Sequence, residues 1–209
     1  MGIIAVVIVG YLLFQSGDEA EAPSGNTENA TNHVVGNQES GILLVEYADY
    51  QCPFCAMYHP LVKQVIEKYE DDIAFQFRHL PLANHQNARA AARAAEAASN
   101  QDKFWEMTDL LFENQQAWSD SNNPRSLFEQ YAQQLELDIE KFNEDFGSRE
   151  VNNRINADVA LFNATGAPMS TPTFFLNNER LVFEQLTLEE FSKHIDEALG
   201  RTSGNDQSE

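Results

Sequence analysis

The chain has 209 residues, a formal net charge of −20 at pH 7 and only two cysteines. This length is enough for one domain with a sizeable core. The negative charge argues against nucleic acid and anionic membrane surfaces as partners, because both would repel the protein. The acidic residues are spread along the chain, which indicates a solvated, repulsive surface and leaves open an adaptation to a saline habitat.

The first 40 residues divide into an apolar and a polar segment. Residues 1–14 form an apolar run without a charged side chain, too short at ~1.5 Å per residue for a ~30 Å hydrocarbon core and more typical of an export signal. We expect an uncleaved signal or anchor at residues 1–14, with a buried N-terminal element as the alternative. Residues 15–40 and 201–209 are mostly small and polar, which predicts a disordered linker and a disordered tail.

The domain itself is expected at residues 41–200. Residues 42–48 are strand formers that are apolar on both faces, which predicts a central strand. Apolar residues at four-residue spacing from Met57 to Tyr69 predict the helix that follows. Residues 73–80 alternate between apolar and polar, which predicts a second strand parallel to the first and completes a β-α-β unit.

The second half of the domain predicts a long helical segment followed by a short β-β-α unit. Residues 84–165 show helical periodicity throughout and are expected to form an insertion between strands. Residues 173–176 and 180–184 predict a β-hairpin. Residues 187–190 have the capping-box sequence Thr-Leu-Glu-Glu, which predicts the start of a last helix.

Both cysteines lie at the junction between the first strand and the first helix, in the sequence Cys-Pro-Phe-Cys. Cys52 is expected at the helix N-terminus, where free N–H groups and the helix dipole stabilise a thiolate and lower its pKa. Cys55 follows one turn later, within disulfide reach. We therefore predict a redox site in which Cys52 attacks a disulfide and Cys55 resolves the mixed disulfide. Since no cysteine is left for a structural bridge, the chain is either cytosolic or an exported redox enzyme.

Glu46 is the third candidate residue of this site, because it lies within the apolar strand that leads to Cys52. An unpaired carboxylate is costly to bury, so Glu46 should be hydrogen-bonded or partly protonated and able to exchange a proton with Cys55. The alternative is a strand-end residue that reaches solvent.

The motifs taken together resemble the DsbA-like family of thiol–disulfide oxidoreductases. The matching stretches are residues 46–55, 77–81, 103–107 and 170–175. The resemblance implies an α/β thioredoxin fold, with a helical insertion between the β-α-β unit and the C-terminal β-β-α unit. By position, it implies that Cys52 attacks, Cys55 resolves and Glu46 is the buried acid.

The resemblance also implies a substrate-binding surface around the cysteines. Thr171 and Pro172 would form a loop that faces the active site, with Pro172 in the cis form and backbone groups of Thr171 free to pair with an extended peptide. Pro53 and Phe54, between the cysteines, would complete this surface. The disulfide itself is the only redox group implied, so we expect no cofactor and no metal.

Two departures from the family leave the direction of electron transfer open among oxidase, isomerase and reductase. Phe54 stands where the best-known strong oxidant has His, and Ser170 stands where many relatives have Gly. Related disulfide isomerases carry an N-terminal dimerisation domain, but the segment between the apolar run and the first predicted strand is too short and polar to form one. This favours a monomeric oxidase. The expected partners are unfolded or partly folded exported proteins with cysteines, together with a membrane or soluble redox partner that recycles the disulfide. The expected location is the periplasm or the cell surface, with the N-terminal segment as a tether.

Two alternatives belong to other classes of protein. Cys52 and Cys55 could bind zinc together with two of His59, His79 and His85, although the spacing follows no zinc-knuckle pattern. The fold could also serve binding or tethering without turnover.

Overall fold

A five-stranded mixed sheet organises the part of the chain that this computed structural model describes, which is residue 27 and residues 29–201. The spatial order of the strands is β1-β3-β2-β4-β5, in which β2 and β3 are parallel and the other neighbours are antiparallel. The strands are β1 (His33–Gly36), β2 (Leu43–Ala48), β3 (Ala74–His79), β4 (Thr173–Leu176) and β5 (Glu179–Arg180).

Eight helices surround this sheet in the described residues. They are α1 (Pro53–Lys68), α2 (Ala88–Ser99), α3 (Phe104–Glu113), α4 (Gln115–Trp118), α5 (Arg125–Gln134), α6 (Ile139–Gly147), α7 (Arg149–Ala164) and α8 (Leu188–Ala198). Helix α1 connects β2 to β3, and helices α2 to α7 form the predicted insertion before β4. The α/β thioredoxin fold with a helical insertion is therefore confirmed.

The central strand β2 packs a different apolar cluster on each face of the sheet, because successive side chains of a strand point to opposite sides. Leu44 and Ala48 belong to the main core, which includes residues of α1, α8 and the insertion. Val45 and Tyr47 pack on the other face against Phe162 of α7. Burial on both faces explains the continuous apolar sequence of β2, and it places Glu46 on the face of the main core.

The predicted linker at residues 15–40 is wrong for its last part, because His33–Gly36 forms β1 and pairs with β3. Two buried acidic side chains hold this segment in place. Asp158 accepts hydrogen bonds from the backbone N–H and the hydroxyl of Thr31, and Glu96 bonds to the His33 ring. The composition of the segment is polar, but contacts with distant residues order it.

The C-terminal hairpin also differs from its prediction. Asn177 and Asn178 both have positive φ, which forms a tight turn, and β5 is limited to Glu179–Arg180 instead of extending over residues 180–184. Asparagine tolerates this backbone conformation better than most residues, so the turn begins directly after β4.

The predicted signal or anchor at residues 1–14 and most of the predicted tail lie outside the described residues. Arg201, the first residue of that tail, is described and forms an ion pair with Asp72. Among the described residues, none of the helices is both long and apolar enough to span a membrane.

Candidate active site

The two cysteines lie where β2 meets α1, beyond the carboxyl end of the central strand. Cys52 is the N-cap residue of α1 and has an extended backbone, and Pro53 is the first helical residue, where its missing N–H costs nothing. Cys55 lies one turn into the helix. Both thiols are free and buried, and Cys52 is slightly the more exposed at 5% against 1%.

A set of polar side chains fixes the loop that precedes Cys52. The Asp49 carboxylate accepts hydrogen bonds from the backbone N–H groups of Gln51 and Leu82 and bonds to the His85 ring. The Gln115 amide donates to the carbonyl oxygens of Tyr50 and Cys52, at 2.7 and 2.9 Å. Asp49 and Gln115 were not among the residues predicted from the sequence. No sequence signal distinguishes such a glutamine from the other polar residues of the insertion, because its partners come from a distant segment.

The environment of Cys52 favours its thiolate. A hydrogen bond from the Cys55 thiol lowers the pKa of Cys52 to about 5 despite partial burial, with help from Thr171 and from the backbone N–H groups of Cys55 and Phe54. These two N–H groups belong to the first turn of α1, as expected for a cysteine at a helix N-terminus.

Cys55 and Glu46 have the opposite electrostatic character. Burial raises the pKa of the Cys55 thiol well above its usual value, and the Cys52 and Glu46 charges raise it further. Burial also raises the pKa of Glu46 to about 8. Glu46 is only 4% exposed, so the alternative of a side chain that reaches solvent is wrong. Near neutral pH, Glu46 and the Cys55 thiol therefore stay mostly protonated, whereas Cys52 is mostly ionised.

The Thr171–Pro172 loop lies against Cys52, and its peptide bond is cis as expected. The Cys52 sulfur lies 3.4 Å from the Thr171 carbonyl oxygen, to which it donates a hydrogen bond while the thiol is protonated. The sequence predicted a carbonyl free for substrate, whereas the protonated thiol occupies it.

A surface cavity of about 610 Å³ adjoins this loop and contains three of the four predicted substrate-binding residues, Phe54, Thr171 and Pro172. Pro53 is exposed beside Cys52 and does not line the cavity. Tyr58 and residues 180–187 also line it, and the sequence analysis did not assign them to the site. We call this cavity the substrate groove, after the role proposed for it below.

The three histidines of the zinc alternative do not gather around the cysteines. His59 bonds to Asp109, His85 to Asp49 and His79 to Glu96. Within the described residues, the cluster with metal-ligand geometry is His33, His79 and Glu96, which contains neither cysteine.

The cysteine pair at a helix N-terminus, the facing cis-proline loop and the helical insertion define a DsbA-like thioredoxin fold. Residues 28–197 match the family model described as thioredoxin, and the chain belongs to that family.

Solved structures support the same fold. A thioredoxin-like oxidoreductase from Silicibacter pomeroyi DSS-3 is 24% identical with a TM-score of 0.69, and the match covers 84% of this chain and 95% of that one. Alpha-DsbA1 from Wolbachia pipientis is 23% identical with a TM-score of 0.70, over 80% of this chain and 90% of that one. Oxidised BdbD from Bacillus subtilis is 23% identical with a TM-score of 0.70, and the match covers 86% of this chain and 98% of that one.

The curated relatives are much longer proteins. The Na⁺/H⁺ antiporter NhaA 3 from Salinispora tropica is 40% identical over 150 residues, which is 71% of this chain and 22% of the antiporter. The Na⁺/H⁺ antiporter NhaA from Herminiimonas arsenicoxydans is 37% identical over 150 residues, which is 72% of this chain and 23% of the antiporter. This chain therefore spans less than a quarter of the length of these relatives.

Proposed function

We propose that this protein is a thiol–disulfide oxidoreductase that oxidises pairs of cysteines in exported proteins. The observation that carries the proposal is the contrast within the cysteine pair. The pKa of Cys52 is lowered to about 5, whereas the pKa of its buried neighbour Cys55 is raised. This contrast makes one sulfur a stable thiolate and keeps the other protonated until it reacts.

The oxidising reaction starts from a Cys52–Cys55 disulfide. A substrate thiolate attacks the Cys52 sulfur, the bond between the two cysteines breaks, and Cys55 leaves as a thiolate that takes a proton from Glu46. A second substrate thiolate then attacks the substrate sulfur of the mixed disulfide and releases Cys52 as a thiolate. The substrate loses two electrons, and the cysteine pair gains them.

The low pKa of Cys52 supports the oxidising direction. A stable thiolate is a good leaving group in the second step, and it stabilises the reduced enzyme relative to the disulfide. The reductase and isomerase alternatives differ from this one only in the reduction potential and in the recycling partner.

The substrate groove supports binding of unfolded protein segments. Phe54 and Val182 line it and are 60% and 73% exposed, which is unusual for large apolar side chains. An apolar surface beside the backbone of Thr171 and Pro172 would select extended chains by shape and hydrophobicity and not by sequence.

The proposed setting is an extracytoplasmic one, with a monomeric enzyme tethered by residues 1–14. Its disulfide would be regenerated by a membrane or soluble redox partner. It would need neither a cofactor nor a metal, because the cysteines carry the electrons.

The test is the reduction potential of the full chain in graded glutathione buffers. A value near or above about −180 mV supports disulfide formation, and a value near about −270 mV identifies a reductase. The absence of a reversible two-electron transition would contradict the whole proposal. Cys52→Ser should abolish exchange. Cys55→Ser cannot form the starting disulfide, but with a disulfide-containing substrate its Cys52 thiolate should accumulate mixed disulfides.

A second candidate role is to act together with a Na⁺/H⁺ antiporter, since antiporters contain a segment 37–40% identical to most of this chain. The test is Na⁺-dependent proton exchange in membrane vesicles of the source organism, with and without the gene for this chain. Unchanged exchange would remove this role and leave the oxidoreductase proposal intact.

A further inference from the structure

The loop that leads into α1 is bound by the first residue of α4. Gln115 is buried, and its amide nitrogen donates to the carbonyl oxygen of Tyr50 at 2.7 Å and to that of Cys52 at 2.9 Å. A glutamine amide has two N–H groups, so Gln115 uses both of its donors on this loop. The helical insertion therefore contacts the backbone of the reactive cysteine directly.

Cys52 depends on backbone contacts because it is an unusual N-cap residue. The preferred N-cap residues carry a side-chain oxygen that accepts a hydrogen bond from the first helical turn. Cys52 has no such oxygen, and its side chain makes no cap hydrogen bond. Its N–H donates to the Asp49 carbonyl oxygen at 3.0 Å, and its carbonyl oxygen accepts from the Ala56 N–H at 3.2 Å and from Gln115. Of these three bonds, the one from Gln115 comes from outside the loop and α1.

The conformation of the N-cap determines where the first N–H groups of α1 lie relative to the Cys52 sulfur. Cys52 has φ −68° and ψ 121°, an extended backbone from which the helix starts at Pro53. In this geometry the N–H groups of Phe54 and Cys55 bond to the Cys52 sulfur and favour its thiolate. A rotation about ψ of Cys52 would move the sulfur away from both groups. The same rotation turns the Cys52 carbonyl oxygen, so the bond from Gln115 to that oxygen limits it.

Helix α4 is itself anchored, which makes Gln115 a fixed donor. Trp118, at the other end of α4, is fully buried, and its indole N–H donates to the Leu111 carbonyl oxygen at 2.9 Å. The Asn87 amide donates to three carbonyl oxygens at the end of α4 and in the turn that follows. A donor whose own position is locked by packing and hydrogen bonds restricts its partner more than a mobile side chain does.

The residue between the two carbonyl groups adds a further link to the same region. Gln51 Nε2 donates to the Ser119 carbonyl oxygen at 2.8 Å, and Gln51 Oε1 accepts from the Asn87 N–H at 2.6 Å. The helical insertion therefore binds Tyr50, Gln51 and Cys52, three successive residues of the loop. A shift of this loop would break contacts with α4 and with the start of α2.

We propose that Gln115 is a positioning residue for the thiol–disulfide reaction: by holding the Cys52 carbonyl oxygen, it keeps the Cys52 sulfur against the first-turn N–H groups of α1. The inference rests on the proposed oxidoreductase function. It gives the helical insertion a part in setting the redox balance of the cysteine pair. Because the disulfide carries no charge on Cys52, the contact stabilises the reduced protein more than the oxidised one.

The experiment uses four variants of the full chain. Gln115→Met keeps an unbranched side chain of similar length and removes both donors, whereas Gln115→Asn keeps the amide on a shorter side chain. Gln116→Met places methionine on the exposed neighbour in α4. Trp118→Phe removes the indole hydrogen bond to Leu111, which is not part of the cysteine loop.

Two quantities distinguish a positioning role from a merely structural one. Thiolate absorbance as a function of pH gives the pKa of Cys52, which should rise by about 0.5 to 1 unit in Gln115→Met. Equilibrium with glutathione should become about threefold to tenfold less oxidising, which corresponds to roughly 15–30 mV. Gln115→Asn should shift both quantities in the same direction by less. Gln116→Met and Trp118→Phe should leave both unchanged.

Urea unfolding of the oxidised and the reduced protein gives an independent readout. Gln115→Met should destabilise the reduced form more than the oxidised form, whereas Trp118→Phe should destabilise both equally. Equal losses in Gln115→Met with an unchanged Cys52 pKa would overturn the proposal, and so would a failure of both Gln115 variants to fold. If wild type shows no reversible transition with glutathione, the oxidoreductase function fails, whereas the Cys52 pKa values still decide the role of Gln115.

Discussion

Two buried glutamates in this protein have opposite environments and opposite pKa shifts. Glu46 in β2 is 4% exposed, and burial alone raises its pKa to about 8. Glu96 in α2 is 0% exposed, and burial would raise its pKa too, but bonds to His33 and His79 outweigh that effect and hold it far below its usual range. The degree of burial is therefore nearly equal, and the hydrogen-bond partners decide which carboxyl group stays ionised.

This difference distinguishes the region around Glu96, which stabilises the fold, from the candidate active site around Glu46. Glu96 also binds the Arg154 guanidinium, and Asp158 nearby accepts bonds from Thr31, Arg78 and the backbone N–H of His79. These two acids tie the N-terminal segment to β3, α2 and α7. At the candidate active site, the single effect on the Glu46 pKa is burial, which suits the proton donor proposed above.

The largest expected effect is the loss of the Glu96 charge. Glu96→Gln should lower the free energy of unfolding by roughly 3–5 kcal/mol, because it leaves Arg154 without its buried partner and weakens two histidine bonds. Urea unfolding at neutral pH measures this loss. The matched control is Glu150→Gln. Glu150 is the other carboxylate partner of Arg154, and the Glu150 side chain is 80% exposed. This variant should stay within about 1 kcal/mol of wild type, and equal losses would contradict the contrast between buried and exposed partners.

An intermediate effect is expected for Glu46 as a function of pH. The pKa of Glu46 is raised in the folded protein from 4.5 to about 8. Between these values the folded state binds more protons than the unfolded chain, so the free energy of unfolding decreases as pH rises, by up to roughly 1.4 kcal/mol per pH unit. Glu46→Gln should remove this slope. Urea titrations of both proteins at several pH values test it, and parallel curves would show that Glu46 is ionised at neutral pH.

The smallest expected effect concerns the hydrogen bond between the cysteines. Cys55→Ala removes the donor that most lowers the pKa of Cys52, so this pKa should rise from about 5 by about one unit, or ~1.4 kcal/mol. Cys55→Ser keeps a donor at the same position and should shift it less. Thiolate absorbance as a function of pH measures both values. A Cys52 pKa unchanged from wild type in both variants would assign the low pKa to the helix N-terminus instead.

Local sequence was sufficient to predict the central part of the fold and site. The apolar run of β2, the helical spacing after Cys52 and the alternation of β3 each reflect the burial pattern of one element. The positions of the cysteines relative to the strand and the helix followed directly from these patterns. The resemblance carried by residues 170–175 added the cis-proline loop, which periodicity alone does not reveal.

Tertiary structure decided the remaining features. Residues 33–36 are ordered as β1 because β3, Glu96 and Asp158 bind this part of the chain. The polar composition of the segment does not predict partners that lie far away along the chain. The link from Gln115 to the Cys52 carbonyl and the groove beside Thr171 and Pro172 likewise depend on how distant elements pack. The sequence by itself determined which residues form the reactive pair, because helix-end chemistry is local. Only the folded chain decided which buried acid is paired and which is not, because pairing depends on neighbours in space.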